Sequence, residues 1–455
     1  MTEPHALAAA HAQREETRRA TLFKLSFPLF LNSLLNFGVM LLDTMIISAH
    51  SADAAAAVAI ANQILIVALE LSTALGTGAV IVIAHHLGQG DRERAERVAA
   101  IAVTANTLFG LLVGLFTALA APVVLWLLGT PEAMAPDIRL YVGVVGIAMA
   151  FNGFATAATA SLRGFGRSRT IALLGLFAAT FYIAAEYVLI LGWGPIPALG
   201  VLGSGLGTLL MRIAAAVALL LILARGLGLS LPHREAFSDW RLLRRLFGLS
   251  MPSVSDYIAY GCYQLILLGF ITGFGIVAVL SRAYVMIAVT FFIFVIMAVS
   301  QGNEVLLGYR RGAGEAGQAF AQALRSSIVA AVLATFLAIL LYLFADLFFA
   351  LFTDDPAVVV LGTELALLTV LLQPGFAFNT VLFQSLRAVG DVRWPVMVSQ
   401  GITWGLSLPL AWFLCLHLGY GVVGVWYAMI VEETIKGIAM LWRWHDRKWV
   451  RHVVL

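Results

Sequence analysis

Charge is scarce in this chain. Of its 455 residues only 12% are Asp, Glu, Lys or Arg, about half the roughly 25% typical of a soluble domain. Cysteine is scarcer: Cys262 and Cys415 are the only two, and both lie in apolar segments. That excludes a disulfide framework. The first twenty residues are polar and lack the apolar stretch that follows a basic start in a secretory signal, so no signal peptide is expected. There is no phosphate-cradling glycine loop, no metal-ligand spacing and no nucleophile elbow. An ATP-driven mechanism therefore has no support, and neither an enzyme activity nor a cofactor is expected. The net charge of +3 is too small to imply nucleic-acid binding.

What the chain has in abundance is apolar surface. Hydrophobic residues make up 61% and the mean hydropathy is +0.94. Apolar stretches of about 20 residues recur from Thr21 to Leu441, each long enough to cross a bilayer core of roughly 30 Å. Spans are expected at 22–48, 54–87, 94–120, 134–162, 169–191, 198–224, 243–272, 275–307, 318–344, 357–386, 394–416 and 421–443. Turn residues such as Gly88-Gln89-Gly90-Asp91 and Asp354-Asp355-Pro356 break them. Arg92, Arg94, Arg97, Arg163, Arg167, Arg169, Arg241, Arg244, Arg245, Arg310, Arg311, Arg387, Arg443 and Arg447 fall on one alternating set of connections. Basic loops stay in the cytoplasm, so both termini are expected there, which requires an even number of crossings.

The chain also repeats itself. Ser161-Leu162-Arg163-Gly164-Phe165-Gly166 returns as Ser385-Leu386-Arg387-Ala388-Val389-Gly390, 224 positions on, and Leu25-Ser26-Phe27-Pro28 returns as Leu249-Ser250-Met251-Pro252. Six crossings per half relate the halves by an axis along the membrane normal, an arrangement of secondary transporters. The expected fold class is all-α integral membrane, with twelve transmembrane helices in two six-helix lobes around a cleft. The expected segments are a cytoplasmic N-terminal stretch 1–21, lobes at 22–224 and 243–443, a basic cytoplasmic linker 225–242 read as a charged connector, and a cytoplasmic tail 444–455.

Two acids escape the repeat. Asp43 maps at the same offset onto Leu267 and Glu186 onto Leu410. Each lies about six residues, or roughly 9 Å, from the outer end of its helix. A carboxylate at membrane depth is a functional candidate. Asn32, Asn36 and Asp43 share one helical face, and Tyr182 stands one turn from Glu186. Burial and a neighbouring like charge both favour a carboxylate that exchanges protons, whereas the same oxygens can instead hold sodium. The expected coupling set is Asp43, Glu186, Asn36 and Tyr182.

Further polar and aromatic residues extend the expected substrate site. Glu70 and Gln63 share a face near mid-membrane, with Asn152 at similar depth. Tyr257, Tyr260, Tyr263, Tyr284, Met286 and Phe292 can line a pocket for flat cations. Asp256 and Arg282 are expected to pair structurally, and Glu304, Glu432 and Glu433 to be solvated at cytoplasmic helix ends. Gly200, Gly203, Gly205 and Gly207 are expected to let helices approach closely.

On these residues the whole chain resembles the multidrug and toxic compound extrusion (MATE) family. The stretch Ser161–Gly166 with Arg169-Thr170 looks like the family's cytoplasmic loop. Pro28 followed by Asp43-Thr44 looks like its first helix, and Glu186 falls where many members carry an Asp. The resemblance implies export of organic, cationic, apolar compounds from a bacterial cytoplasmic (inner) membrane in exchange for H+ or Na+. Tyr260 and Phe376 stand where the NorM-type branch carries acids on the seventh and tenth helices, so the chain looks closer to the DinF-type branch. Small organic cations and membrane lipid are the expected partners, with no obligatory protein partner and a monomeric state. Two rivals remain. A flippase for a lipid-linked saccharide needs Arg residues inside the membrane, and Arg282 and Arg212 are its support. An integral-membrane lipid enzyme needs clustered His or acids at one membrane face, which the sequence lacks. A channel is disfavoured because the two acids lie in one lobe.

Overall fold

The computed structural model describes residues 20–127, 134–227 and 239–451. Most of these residues are helical. In chain order the helices are α1 (Leu22–His50), α2 (Ala52–Ser72), α3 (Ala74–Gln89), α4 (Arg92–Leu127), α5 (Ala135–Gly164), α6 (Ser168–Leu191), α7 (Gly200–Leu227) and α8 (Trp240–Thr272). There follow α9 (Ile276–Gly312), α10 (Ala316–Leu343), the short α11 (Ala345–Phe349), α12 (Pro356–Ala388), α13 (Arg393–Ile402), α14 (Leu408–Trp412) and α15 (Gly421–His445). Among the described residues nine helices are long and apolar enough to cross a membrane, and a bent pair within α2 makes a tenth. The protein is an all-helical membrane protein.

Three expected crossings differ from a plain helix. The span at 54–87 is not one helix: α2 bends by 42° between its parts 53–62 and 65–72, and the chain breaks again at Thr73. Hydroxyls account for the second break. Ser72 Oγ donates to the carbonyl of Leu69 and Thr73 Oγ1 to that of Glu70, offering the backbone an alternative to the helical ladder. The span at 394–416 passes through two π-helical turns, Thr403–Ser407 and Phe413–His417. Pro409, which has no N–H to donate, lies between them. The span at 421–443 is α15, whose apolar character is broken by Glu432, Glu433 and Lys436.

The sequence repeat is a structural repeat at the two glycine turns. Gly166 and Gly390 both adopt positive φ, 73° and 90°, a conformation glycine enters without a Cβ penalty. Around each the bonds match: Gly166 N–H donates to Arg163 O and Arg167 N–H to Leu162 O, while Gly390 N–H donates to Arg387 O and Asp391 N–H to Leu386 O, all at 2.9 Å. Upstream, Ser161 Oγ donates to Ala157 O and Ser385 Oγ to Val381 O.

The described residues fall into two compact units. One is Leu31–Val254; the other joins residues 20–30 to 255–451. The unit boundaries cut α1 after Phe30 and α8 after Val254, again 224 positions apart and just past the intrahelical prolines Pro28 and Pro252. Of the expected segments, residues 1–19 of the N-terminal stretch, 228–238 of the linker and 452–455 of the tail lie outside the described residues.

Within the first unit small residues set the packing, as they must where lipid is as apolar as the helix face. A Cβ on Gly114 of α4 would stand 2.0 Å from the carbonyl of Gly146 on α5. The close approach lets Asn106 Nδ2 reach the carbonyls of Ser72 at 3.0 Å and Gly153 at 2.7 Å. Such interhelical bonds contribute about 0.6 kcal/mol each. In the second unit the tail is not detached: Trp444 and Trp449 are fully buried and stack at 4.4 Å.

Candidate functional site

Three helices of the first unit each carry polar groups on one face, a consequence of residues one or two turns apart stacking above one another. α1 supplies Asn36 and Asp43, α6 supplies Tyr182 and Glu186, and α7 supplies Ser204, Thr208 and Arg212. α6 and α7 approach closely because Gly203 and Gly207 of α7 face α6 without side chains. A Cβ on Gly203 would lie 2.4 Å from the carbonyl of Leu189, and one on Gly207 would lie 3.1 Å from Cγ of Glu186.

The groups form one connected set. Tyr182 Oη donates to Asp43 Oδ1 at 3.4 Å and lies 3.4 Å from Thr208 Oγ1. Glu186 is fully buried, and its Oε1 accepts from Ser204 Oγ at 3.2 Å. Its Oε2 has no hydrogen-bond donor among the described residues, while the carboxylate of Asp43 is its neighbour. Two carboxylates, one of them with a free oxygen and both held by long bonds, can gain or lose a small cation without dismantling a tight network. Asn36, Asp43, Tyr182, Thr208 and Arg212 line an open cavity of about 420 Å³, shared with Asn62, Tyr141 and apolar residues such as Leu65, Leu69, Val145 and Met211. That volume is within the range of small-molecule pockets.

The other expected site residues are dispersed. Asn32 does not line the cavity with Asn36 and Asp43; its Oδ1 fills the space beside Gly175 on α6. Asn152 is buried and lies behind the cavity wall, where its Nδ2 donates to Ser72 Oγ at 2.6 Å and its Oδ1 accepts from Arg212. Glu70 lies at the end of α2, where its carbonyl accepts from Thr73. The side chain of Gln63 lies outside the described residues. Arg212, weighed in the sequence only as support for a flippase, lines the same cavity as Asp43, a placement that reasoning missed. Ser204, Thr208 and Arg212 recur at i, i+4 and i+8 in an apolar helix, a signal hidden behind the glycines of the same segment.

In the second unit Tyr263 and Phe292 belong to one apolar core, and Tyr260, Tyr284 and Met286 pack against it. Tyr257 is 52% exposed, whereas Phe292 is 4% exposed and belongs to the core that Met286 packs against. Tyr284 stacks on Phe352 at 5.0 Å. Tyr260 accepts from Gln264 Nε2 at 2.8 Å. The expected Asp256–Arg282 pair does not form: Asp256 accepts from Gln400, and Arg282 donates to Gln264 Oε1 at 3.1 Å.

A larger correction concerns the acids expected in solvent. Glu304, Glu432 and Glu433 are 1%, 1% and 3% exposed. Glu304 pairs with Arg387 at 2.8 Å. Glu432 takes Lys436 Nζ at 2.6 Å and accepts from Tyr263 Oη, Ser407 Oγ and Thr403 Oγ1 at 2.7–2.8 Å. Glu433 accepts from Asn379 Nδ2 at 2.8 Å. Position near a helix end suggested solvent; the partners come from α8, α12 and the π turn at Thr403–Ser407, which no local pattern announces.

A helical membrane protein with duplicated halves and a partly polar cavity is a membrane transporter by class. The chain belongs to the MatE family: the family model matches it twice, at residues 28–188 and 252–413, starting points that repeat the 224-residue offset. The family is one of transporters, not enzymes. The chain is 29% identical to the uncharacterized transporter YisQ of Bacillus subtilis (strain 168) over 432 residues, 95% of each chain. It is 27% identical to a probable multidrug resistance protein NorM of Bradyrhizobium diazoefficiens over 90% of each. In fold it is similar to a mutant of the Vibrio cholerae MATE transporter VcmN, with a TM-score of 0.85 at 17% identity over 98% of this chain and 100% of that one.

Proposed function

We propose that this protein is a secondary active antiporter that exports organic, predominantly cationic and apolar compounds from a bacterial inner membrane in exchange for protons or sodium. Its twelve crossings form two six-helix lobes with both termini cytoplasmic, it works by alternating access, and it needs no protein partner. The observation that carries the reading is the first unit's polar set: Asp43 and Tyr182 line a drug-sized cavity, and Glu186, bonded to Ser204 and buried outside that lining, keeps one carboxylate oxygen without a donor. Coupling through this unit alone favours the DinF-type branch. Substrate binds while the carboxylates are free, and a proton or sodium ion arriving from outside takes them up and releases it. Ion and substrate must differ in affinity between the two states for either to shift the equilibrium. The flippase alternative needs several guanidinium groups gathered around a pyrophosphate; Arg212 lies at the cavity, while Arg282 is engaged by Gln264.

The test is reconstitution in liposomes with a preset pH gradient or a preset sodium gradient, followed by addition of ethidium. Discharge of the pH gradient is expected for proton antiport and of the sodium gradient for sodium antiport. Discharge of neither overturns the reading.

A further inference from the structure

Arg212 carries an inference of its own, resting on the proposed transport through the first unit's cavity. An arginine is charged at any physiological pH and offers five N–H donors in a fixed fork. At membrane depth such a group is costly and marks a pathway or a partner. Here the internal partner is a neutral amide. Arg212 Nη1 donates to Asn152 Oδ1, and among the described residues this is its one hydrogen bond, with no carboxylate at ion-pairing distance.

The amide that holds it cannot turn round. Ser72 Oγ gives its proton to the carbonyl of Leu69 at 2.7 Å, so toward Asn152 it can only accept. It accepts from Asn152 Nδ2 at 2.6 Å. Asn152 Oδ1 is therefore forced toward the guanidinium, and the relay Leu69–Ser72–Asn152–Arg212 fixes the head group at the cavity wall. A tie between helices would be served as well by a neutral donor, and an arginine there adds four further N–H groups. Asp43 lines the same cavity yet forms no ion pair with Arg212 among the described residues; its oxygen is taken by Tyr182. The cavity thus holds a cation and a carboxylate that form no ion pair with each other among the described residues.

We infer that Arg212 is an oxyanion-docking point, and that the cavity takes an amphipathic molecule bearing a carboxylate or phosphate group, seated on the guanidinium by charge-assisted hydrogen bonds. The anionic group selects the ligand, while any cationic end it carries turns to Asp43. The same chemistry is available from a soluble compound and from the phosphate of a lipid headgroup.

The test uses two xanthylium dyes that differ at one group, a zwitterion with a free benzoate (rhodamine 110) and its methyl ester (rhodamine 123). Binding is followed by fluorescence anisotropy on the full-length protein in nanodiscs of phosphatidylcholine. The wild type is expected to bind the free acid at least about tenfold more tightly than the ester, the scale of one charge-assisted hydrogen bond. Arg212→Gln is expected to bring that ratio to about one, and Arg212→Lys to leave an intermediate ratio. A wild type that binds the ester equally well or better overturns the inference with no variant needed, and so does a ratio that survives in Arg212→Gln. Titrating the wild-type complex with rhodamine 110 with water-soluble dihexanoylphosphatidylglycerol and, separately, with benzoate separates the sources. Displacement by the phospholipid assigns the site to a headgroup phosphate, displacement by benzoate alone assigns it to a soluble molecule, and displacement by neither overturns the inference. Failure of the antiport reading shows separately, as two dyes that discharge no ion gradient whatever their binding ratio.

Discussion

The two units carry polar networks of opposite character on a repeated scaffold. In the second unit, Glu432 is held by a lysine and three hydroxyls, every bond 2.6–2.8 Å long. In the first, Asp43, Tyr182, Glu186 and Ser204 meet at 3.2–3.4 Å, and a carboxylate oxygen is left without a donor. Short charge-assisted bonds of this kind tie together the helices that share them. A loosely satisfied network at a cavity leaves room for an ion to complete it. Duplication provided two similar frames, and the side chains gave one a tightly bonded clamp and the other a loosely bonded acid cluster.

The largest effect that would break this contrast is on the clamp. Lys436→Met leaves Glu432 and Glu433 buried without their cation and is expected to cost about 3–5 kcal/mol. Thermal unfolding of the purified protein in detergent reads this as a large fall in Tm or loss of folded material. An unchanged Tm would remove the clamp role from α15. Asp43→Asn should do the reverse: Tm within a few degrees of wild type, with ion-coupled dye efflux in liposomes down by about a hundredfold, the loss expected when an essential carboxylate no longer exchanges its ion. Intact, ion-dependent efflux in this variant would sink the coupling role of Asp43.

A finer comparison sets Glu186→Gln beside Glu432→Gln. The first is expected to reduce coupled efflux about tenfold while keeping or raising Tm, because a neutral amide is easier to bury than a carboxylate lacking a donor. The second is expected to lower Tm, because Lys436 loses its charged partner. Equal Tm changes in the two would erase the distinction between the units. Smallest is Tyr182→Phe, which removes the two long hydrogen bonds to Asp43 and Thr208. A roughly fivefold rise in the ion concentration giving half-maximal efflux matches about 1 kcal/mol; no shift would show that Tyr182 only packs.

Part of the candidate cluster was legible along the chain. Asp43 and Glu186 stood out because they break the repeat, and burial of an acid in an apolar helix is informative whatever surrounds it. Tyr182 followed from its one-turn spacing. Arg212 was visible but misjudged, since the glycines beside it explain the same helix as a packing face. Asn32 failed because sharing a helical face does not guarantee sharing a cavity: one turn along α1, Gly175 offers it a different neighbour. Glu432 and Glu433 failed for a stronger reason. Their partners Tyr263, Asn379 and Ser407 lie up to 169 positions away in the chain, and position near a helix end says nothing about which helices cover it.

By itself the sequence determined the membrane class, the duplicated frame and the two acids that depart from it, because hydropathy, period and offset are properties of the chain read along its length. The tertiary structure alone decided which polar groups are joined. It bent the second span, turned a supposed solvent face of α15 into a buried clamp, and brought Arg212 to the wall of the cavity that holds Asp43. The physical reason is that desolvation and hydrogen bonding depend on neighbours in space. At membrane depth a charge is a lock where partners saturate it and a site where they do not.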